Sequence, residues 1–186
     1  MSQPTRIPAP DGGPLVREQR LADCERVAEI RVGGWRSAYR GLMPHSYLDA
    51  LSVRQEADRH RARFGQGDGT VVNLVAERAG EVLGWACHGP YRDGEVRTED
   101  AELYAIYVHP GRYGEGIGQA LLTESVRRCR AAGHRRMMLW VLRDNTAARR
   151  FYERAGFAAD GAQEPFEVEG VQVPEVRYAR ELTDAG

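Results

Sequence analysis

A chain of 186 residues is long enough for one folded domain with a substantial core, and a single α/β domain over residues 15–186 is the simplest prediction. Its 26 basic and 27 acidic residues give a net charge of -1, which argues against a nucleic-acid-binding protein, because such proteins usually present a strongly basic face. No run approaches the roughly 18 apolar residues of a membrane span, so neither a membrane segment nor a signal peptide is expected.

The three cysteines, Cys24, Cys87 and Cys129, lie far apart and show neither C-x-x-C nor Cys/His ligand spacing. This pattern favours a reduced, cytoplasmic protein with no disulfide framework and no metal site. Residues 1–14 are rich in proline and glycine and are predicted to form a flexible tail.

The first elements after the tail are a strand and helices. A short strand is expected at 15–19, a helix at 22–39, and further helical structure after Pro44. The helix at 22–39 is indicated by residues that recur at roughly helical spacing: Cys24, Val27, Ile30 and Trp35.

A hairpin and a polar loop follow. Strands at 70–77 and 82–89 are joined through Ala79-Gly80, and the polar segment 91–100 is predicted to be a loop. The later elements are a strand at 101–108, a helix from Gly116 to about Gly133, a strand at 136–142, a helix capped by Asn145 and stopped by Gly156, and two strands near 157 and at 175–181.

The segment 101–122 is the most informative in the chain, because a strand there meets a glycine-rich turn that opens into an amphipathic helix. Gly114, Gly116 and Gly118 allow close approach of a ligand to the backbone, and the first N–H groups of the helix are free donors. The helix dipole adds partial positive charge, which favours a pyrophosphate.

Two other nucleotide motifs fit this turn poorly. A dinucleotide fold requires G-x-G-x-x-G and an acidic residue about 20 positions later. Here the spacing is G-x-G-x-G, and basic residues, His134 to Arg136, stand where the acidic one is expected. No Gly-Lys-Ser/Thr follows, so a Walker A loop is not indicated either.

A second informative segment is RDNTAARRFYERAGF at 143–157. Together with the first segment, it resembles the GNAT superfamily of acyl-CoA-dependent N-acetyltransferases. It matches the family pattern N-x-x-A-x-x-F/Y-Y-x-x-x-G-F through Asn145, Ala148, Phe151, Tyr152, Gly156 and Phe157. The pyrophosphate signature Q/R-x-x-G-x-G/A maps onto residues 113–118, where Tyr113 replaces the usual Gln or Arg. The two motifs cover about a third of the chain.

The resemblance implies a mixed, mostly antiparallel central sheet of about six to seven strands with helices on both faces. It also implies transfer of an acetyl group from acetyl-CoA to a primary amine, with coenzyme A as the released product and no metal. The residues expected to bind coenzyme A are Ile106, Tyr107, Val108, Tyr113, Gly114, Glu115, Gly116, Ile117, Gly118, Asn145 and Ala148.

The resemblance implies catalytic roles for two residues. Glu102 lies on the strand before the turn, where many family members place the general base, and it would act directly or through a water. Tyr152 is the general acid for the departing thiolate. Period-two alternation predicts one face for Glu102, Tyr104, Ile106 and Val108 and the other for Leu103, Ala105 and Tyr107, unless a bulge shifts the phase.

The acceptor is predicted to be a small primary amine or an amino acid. Deprotonating a lysine-type amine at pH 7 costs about 4.6 kcal/mol, whereas an α-amino group costs about 1 kcal/mol, which one glutamate base handles easily. The residues expected to contact the acceptor are Trp35, Tyr39, Tyr104 and Trp140.

Alternatives stay open at this stage. A catalytically inactive acyl-CoA sensor would retain the turn and transfer nothing, and Tyr113 is the residue that favours it. An acetyltransferase that acts on a protein amine is the other alternative. Family members are often dimers, and the C-terminal strand around VPEVRYARELT is expected to offer an edge for pairing in a homodimer.

Overall fold

The computed structural model describes residues 12–182, in which seven strands and five α-helices follow one another along the chain. The strands are β1 (Leu15–Glu18), β2 (Val72–Arg78), β3 (Glu81–Asp93), β4 (Val96–Val108), β5 (Arg136–Leu142), β6 (Ala158–Val168) and β7 (Val171–Glu181). The helices are α1 (Cys24–Ala38), α2 (His45–Ala50), α3 (Val53–Arg63), α4 (Ile117–Ala131) and α5 (Thr146–Arg154). Most of the predicted tail, residues 1–14, lies outside the described residues.

The strands form one sheet in the order β1-β2-β3-β4-β5-β7-β6, and every neighbouring pair is antiparallel except β4 and β5. The prediction of a mostly antiparallel sheet of six to seven strands is therefore confirmed. None of the helices within residues 12–182 is both long enough and apolar enough to cross a membrane.

Helices cover both faces of the sheet, as predicted. On one face α4 and α5 pack on the larger core, where Leu121 and Leu122 of α4 are fully buried. On the other face Val27 and Ile30 of α1 pack against Trp85 of β3. Burial of these apolar side chains is the main driving force that holds the helices on the sheet.

The prediction of a loop at 91–100 is wrong, because β3 runs on to Asp93 and β4 already begins at Val96. The two strands form one long hairpin that turns at Gly94, whose φ is +62°. The polar composition of this segment led to the prediction of a loop. The Asp93-Gly94 pair, however, is a frequent hairpin turn.

The exception named for the faces of β4, a bulge, is present, and it reverses the predicted faces after Tyr104. The β3–β4 register shifts between Cys87, opposite Ala105, and His88, opposite Leu103, so that Tyr104 is an extra residue on β4. As a result Leu103 and Ile106 both pack in the core beneath α4. This β-bulge shifts the alternation of side chains by one residue. Ile106 and Val108 therefore do not share a face with Glu102 and Tyr104, as the alternation predicted.

The C-terminal strand does not provide the edge expected for a homodimer. β7 is paired on one side with β5 and on the other with β6, so its backbone groups are occupied within the sheet. The edge at this end of the sheet is β6 instead.

Candidate active site

A gap between the two parallel strands dominates the centre of the sheet. β4 and β5 pair only at Ala101 with Met137 and at Glu102 with Met138, although β4 continues to Val108 and β5 to Leu142. β3 occupies the other edge of β4 as far as Val108. The edge of β4 that faces the gap therefore leaves backbone donors and acceptors free of strand partners over 103–108 in the described structure, as an added extended chain requires.

The glycine turn lies at the end of β4 and opens into α4. Gly114 and Gly116 have φ of +82° and +78°, in the left-handed region that glycine occupies without strain. A Cβ added at either position would meet no protein atom within 4 Å, so the space beside the turn is open. Gly116 is the N-cap of α4 and has no side chain to satisfy the first N–H groups, which stay available to an anion.

The side chains of this turn carry charges of both signs. The Glu115 carboxylate accepts hydrogen bonds from Arg78, at 2.8 Å, and from Arg112, at 3.3 Å. The two arginines therefore offset the negative charge of Glu115 beside the proposed phosphate position. Tyr113, which stands where the family has Gln or Arg, is 53% exposed.

The predicted general base lies where the gap begins. Glu102 is 8% exposed, and its carboxylate accepts a hydrogen bond from the Arg92 backbone N–H at 3.3 Å. Burial raises the pKa of Glu102, while the Arg92 N–H and guanidinium act in the opposite direction. A carboxylate with a raised pKa is a better proton acceptor near neutral pH.

The second motif folds into α5 beside the turn. Asn145 caps this helix, since its Oδ1 accepts a hydrogen bond from the Ala148 N–H at 3.1 Å. A Cβ added at Gly118 would lie 3.5 Å from Phe151 and from Val108, so the start of α4 meets the end of β4 and the Phe151 ring of α5. Tyr152 is 9% exposed, and burial raises its pKa well above the ordinary value, which keeps its hydroxyl protonated.

Two of the four predicted acceptor-contacting residues lie together. Trp35 and Tyr39 pack edge to face with ring centroids 5.1 Å apart. The Tyr39 hydroxyl is hydrogen-bonded to the hydroxyl of Tyr107 on β4 at 3.2 Å. Tyr107, predicted to bind coenzyme A, therefore also brings its side chain to the predicted acceptor-contacting pair.

Tyr104 and Trp140 lie apart from that pair. The Tyr104 hydroxyl donates a hydrogen bond to the Pro90 carbonyl, and the Arg92 guanidinium lies 4.3 Å from its ring centroid. The Arg177 guanidinium lies over the ring of Trp140 on β5, with its Cζ 5.7 Å from the ring centroid. Tyr104 instead lines a cavity of about 700 Å³ between α1, α3 and the sheet. This cavity carries four arginines and two glutamates, Arg31, Arg59, Arg63, Arg92, Glu18 and Glu56.

Sequence reasoning missed Glu175 on β7. Burial, together with the carboxylates of Glu164 and Glu102, raises its pKa to about 7. No sequence motif marks this residue, because its surroundings are created by the pairing of β7 with β5 and β6.

A family model described as the acetyltransferase (GNAT) family matches residues 33–157, which include both motifs and Glu102. The chain belongs to the GNAT acetyltransferase family. The N-acetyltransferase YuaI of Bacillus subtilis, itself described as uncharacterized, is 32% identical over 161 residues and covers 87% of this chain and 89% of its own. The L-amino acid N-acyltransferase MnaT of Escherichia coli is 32% identical over 144 residues, or 76% of this chain and 78% of its own.

The GNAT fold is also that of a solved structure. The PaiA N-acetyltransferase of Thermoplasma acidophilum, in complex with coenzyme A, superposes with a TM-score of 0.69. That match covers 89% of this chain and 97% of the other, at 20% identity. The protein is thus a GNAT-family N-acetyltransferase.

Proposed function

We propose that this GNAT enzyme transfers the acetyl group of acetyl-CoA to the primary amine of a small molecule or amino acid. The observation that carries the proposal is the gap between β4 and β5, with the glycine turn of α4 at its open end and Glu102 where the strands begin to diverge. The similarity to MnaT, named as an L-amino acid N-acyltransferase, supports an amino-acid acceptor.

Coenzyme A fits the residues of this site. The N–H groups at the start of α4 and the open left-handed turn at Gly114 and Gly116 suit its pyrophosphate. The free edge of β4 suits its extended amide-containing arm, with Asn145 and Ala148 at the start of α5 nearby. When bound, acetyl-CoA supplies the activated acetyl group.

The residues of the chain then have separate tasks. Glu102 removes a proton from the acceptor amine, directly or through a water, so that the nitrogen lone pair can attack. The backbone N–H near Val108 donates a hydrogen bond to the acetyl carbonyl oxygen. Tyr152 gives its proton to the departing sulfur, a task suited to a hydroxyl that stays protonated at neutral pH.

Thermal unfolding with acetyl-CoA, coenzyme A and NAD tests the co-substrate. At a ligand concentration of 100 times Kd, acetyl-CoA and coenzyme A should each stabilise the fold by about 2.7 kcal/mol, and NAD should not. Equal melting temperatures with and without the two coenzyme A forms would contradict the proposal.

A screen of amines that reads the release of free thiol from acetyl-CoA tests the transfer itself. Faster release with L-amino acids or small amines than with peptide amines is expected. Binding of acetyl-CoA without release for any amine would favour the inactive sensor, and release with peptide amines alone would favour a protein acceptor.

A further inference from the structure

Glu175 lies in a place that is unfavourable for a negative charge. It pairs with Leu142 of β5 on one side and directly with Glu164 of β6 on the other. Residues opposite each other on neighbouring strands have Cβ atoms about 4.5–5.5 Å apart, and like charges there are destabilising. Among the described residues, burial and the carboxylates of Glu164 and Glu102 all raise the pKa of Glu175, so its charged form is disfavoured.

Glu175 faces the proposed acceptor side of the sheet. Its neighbours along β7, Val176 and Tyr178, pack in the core beneath α4 and α5, and alternation turns Glu175 to the opposite face with Val173. Trp35 and Tyr39, the predicted acceptor-contacting pair, are partly buried and pack against the buried cluster that contains Val173.

Glu175 is coupled electrostatically to the predicted general base. It interacts directly with Glu102. It also acts on Tyr39 and Tyr107, whose hydroxyls share a hydrogen bond, and Tyr39 in turn interacts with Tyr152. The titratable groups that face Glu175 are therefore carboxyls from β4 and β6 and phenols from β4 and the end of α1. The basic side chain that alternation places on the same face of β7 is Arg177, which is paired with Asp160 at 2.7 Å.

Acetylation of a protonated amine requires two protons to leave the nitrogen. The N–C bond of the amide forms, the C–S bond of the thioester breaks, and R–NH₃⁺ becomes R–NH–COCH₃. The sulfur gains one proton from Tyr152, which must itself be reprotonated, and one proton is released to water. A single glutamate holds only one of the two protons at a time.

We propose that Glu175 is a second catalytic carboxylate, which accepts one of the two acceptor-nitrogen protons while Glu102 accepts the other. One of these protons restores Tyr152 and the other passes to water, so the reaction balances. This inference rests on the proposed function. Its physical support is the position of Glu175, which lies opposite Glu164 on the face of the sheet that Trp35 and Tyr39 cover and forms no ion pair within residues 12–182.

The kinetic test compares Glu175→Gln with the wild type in thiol release from acetyl-CoA, with a mixture of L-amino acids as acceptor. We expect kcat to fall by about 10²-fold or more, with an unchanged KM for acetyl-CoA. The acidic limb of the pH profile should move to lower pH, because the carboxyl whose pKa is raised to about 7 is lost and Glu102 alone then sets that limb. Glu181→Gln, on the exposed end of the same strand, is the matched control and should behave as wild type.

An active wild type whose kcat and acidic limb are unchanged by Glu175→Gln would overturn the role of Glu175 alone. A wild type that transfers nothing to any amine would overturn the proposed function, and with it this role.

A titration of the carboxyl groups by ¹³C NMR on the full chain does not depend on enzyme activity. It tests the proposal even when Glu175→Gln does not fold. One glutamate should titrate near neutral pH, and its midpoint should fall in Glu102→Gln. If all glutamates titrate in the ordinary range, or if Glu102→Gln leaves the Glu175 midpoint in place, the pairing of the two carboxylates is refuted.

Discussion

At the scale of single residues, Glu102 and Glu175 show how the surroundings give two glutamates different proton affinities. Glu102 accepts a backbone N–H hydrogen bond from Arg92, which stabilises its charged form. Burial and like charges both raise the pKa of Glu175, so its proton affinity is higher. The position of Glu102 before a recognisable turn made it predictable, whereas Glu175 has no local signature.

The hydroxyl of Tyr152 is the most direct residue to test. In Tyr152→Phe the ring that packs in the core is kept and the proton donor is lost, so kcat should fall by about 10²- to 10⁴-fold with little change in stability. Thiol release and thermal unfolding measured on the same preparation check both statements.

Tyr178→Phe is the control for this experiment. The Tyr178 hydroxyl donates a hydrogen bond to Glu153 and accepts one from Arg149, away from the gap, so its loss should lower stability and spare kcat. Equal kcat values for Tyr152→Phe and the wild type would show that the sulfur takes its proton from another source.

At the scale of elements, the helix ends were predicted well and the strand phases were not. Asn145 caps α5, and Gly116 begins α4, as their side chains and backbone preferences indicate. The bulge at Tyr104 and the hairpin strands on either side of Gly94 depend instead on pairing between β3 and β4. Such pairing is set by contacts between strands and leaves a weaker trace in local sequence.

Gly84 tests how closely α4 approaches the sheet. A Cβ at this position of β3 would lie 2.8 Å from both Ile117 and Leu121, which are fully buried and have no room to move. Gly84→Ala should therefore lower the free energy of unfolding by about 1–3 kcal/mol through overpacking. Urea denaturation measures it as a lower midpoint at an unchanged m-value.

Gly67→Ala is the matched glycine substitution. Its added Cβ would lie no closer than 3.9 Å to another atom, so it should leave stability nearly unchanged. Equal midpoints for the two variants would mean that α4 moves away from β3 at little cost.

At the scale of the whole molecule, the buried His88 and the half-buried Glu175 give the stability opposite dependences on pH. His88 is 3% exposed, and burial lowers its pKa from 6.5 to about 4. Protons then bind the unfolded chain more readily, so stability is lost as pH falls from 6.5 to 4, by roughly 3 kcal/mol. The raised pKa of Glu175 does the reverse, since its contribution is complete below 4.5 and is lost as pH rises through about 7.

Removing Glu175 should therefore reveal the effect of His88 on the pH dependence of stability. In Glu175→Gln the free energy of unfolding should fall more steeply than in the wild type as pH is lowered from 6.5 to 4.5, because only the effect of His88 remains. Urea denaturation across this pH range measures the difference, with Glu181→Gln as control. Parallel stability curves for Glu175→Gln and the wild type would contradict the prediction.

The sequence by itself determined the family, the glycine turn, the helix caps and the order of nearly all elements. These features are local, since they follow from the φ angles open to glycine, the capping ability of Asn145 and the spacing of apolar residues. Only the tertiary structure decided the gap between β4 and β5, the faces of β4, the interior place of β7 and the character of Glu175. Each of these depends on which strands pair and on what they bury, and strand register and desolvation arise only when distant parts of the chain meet.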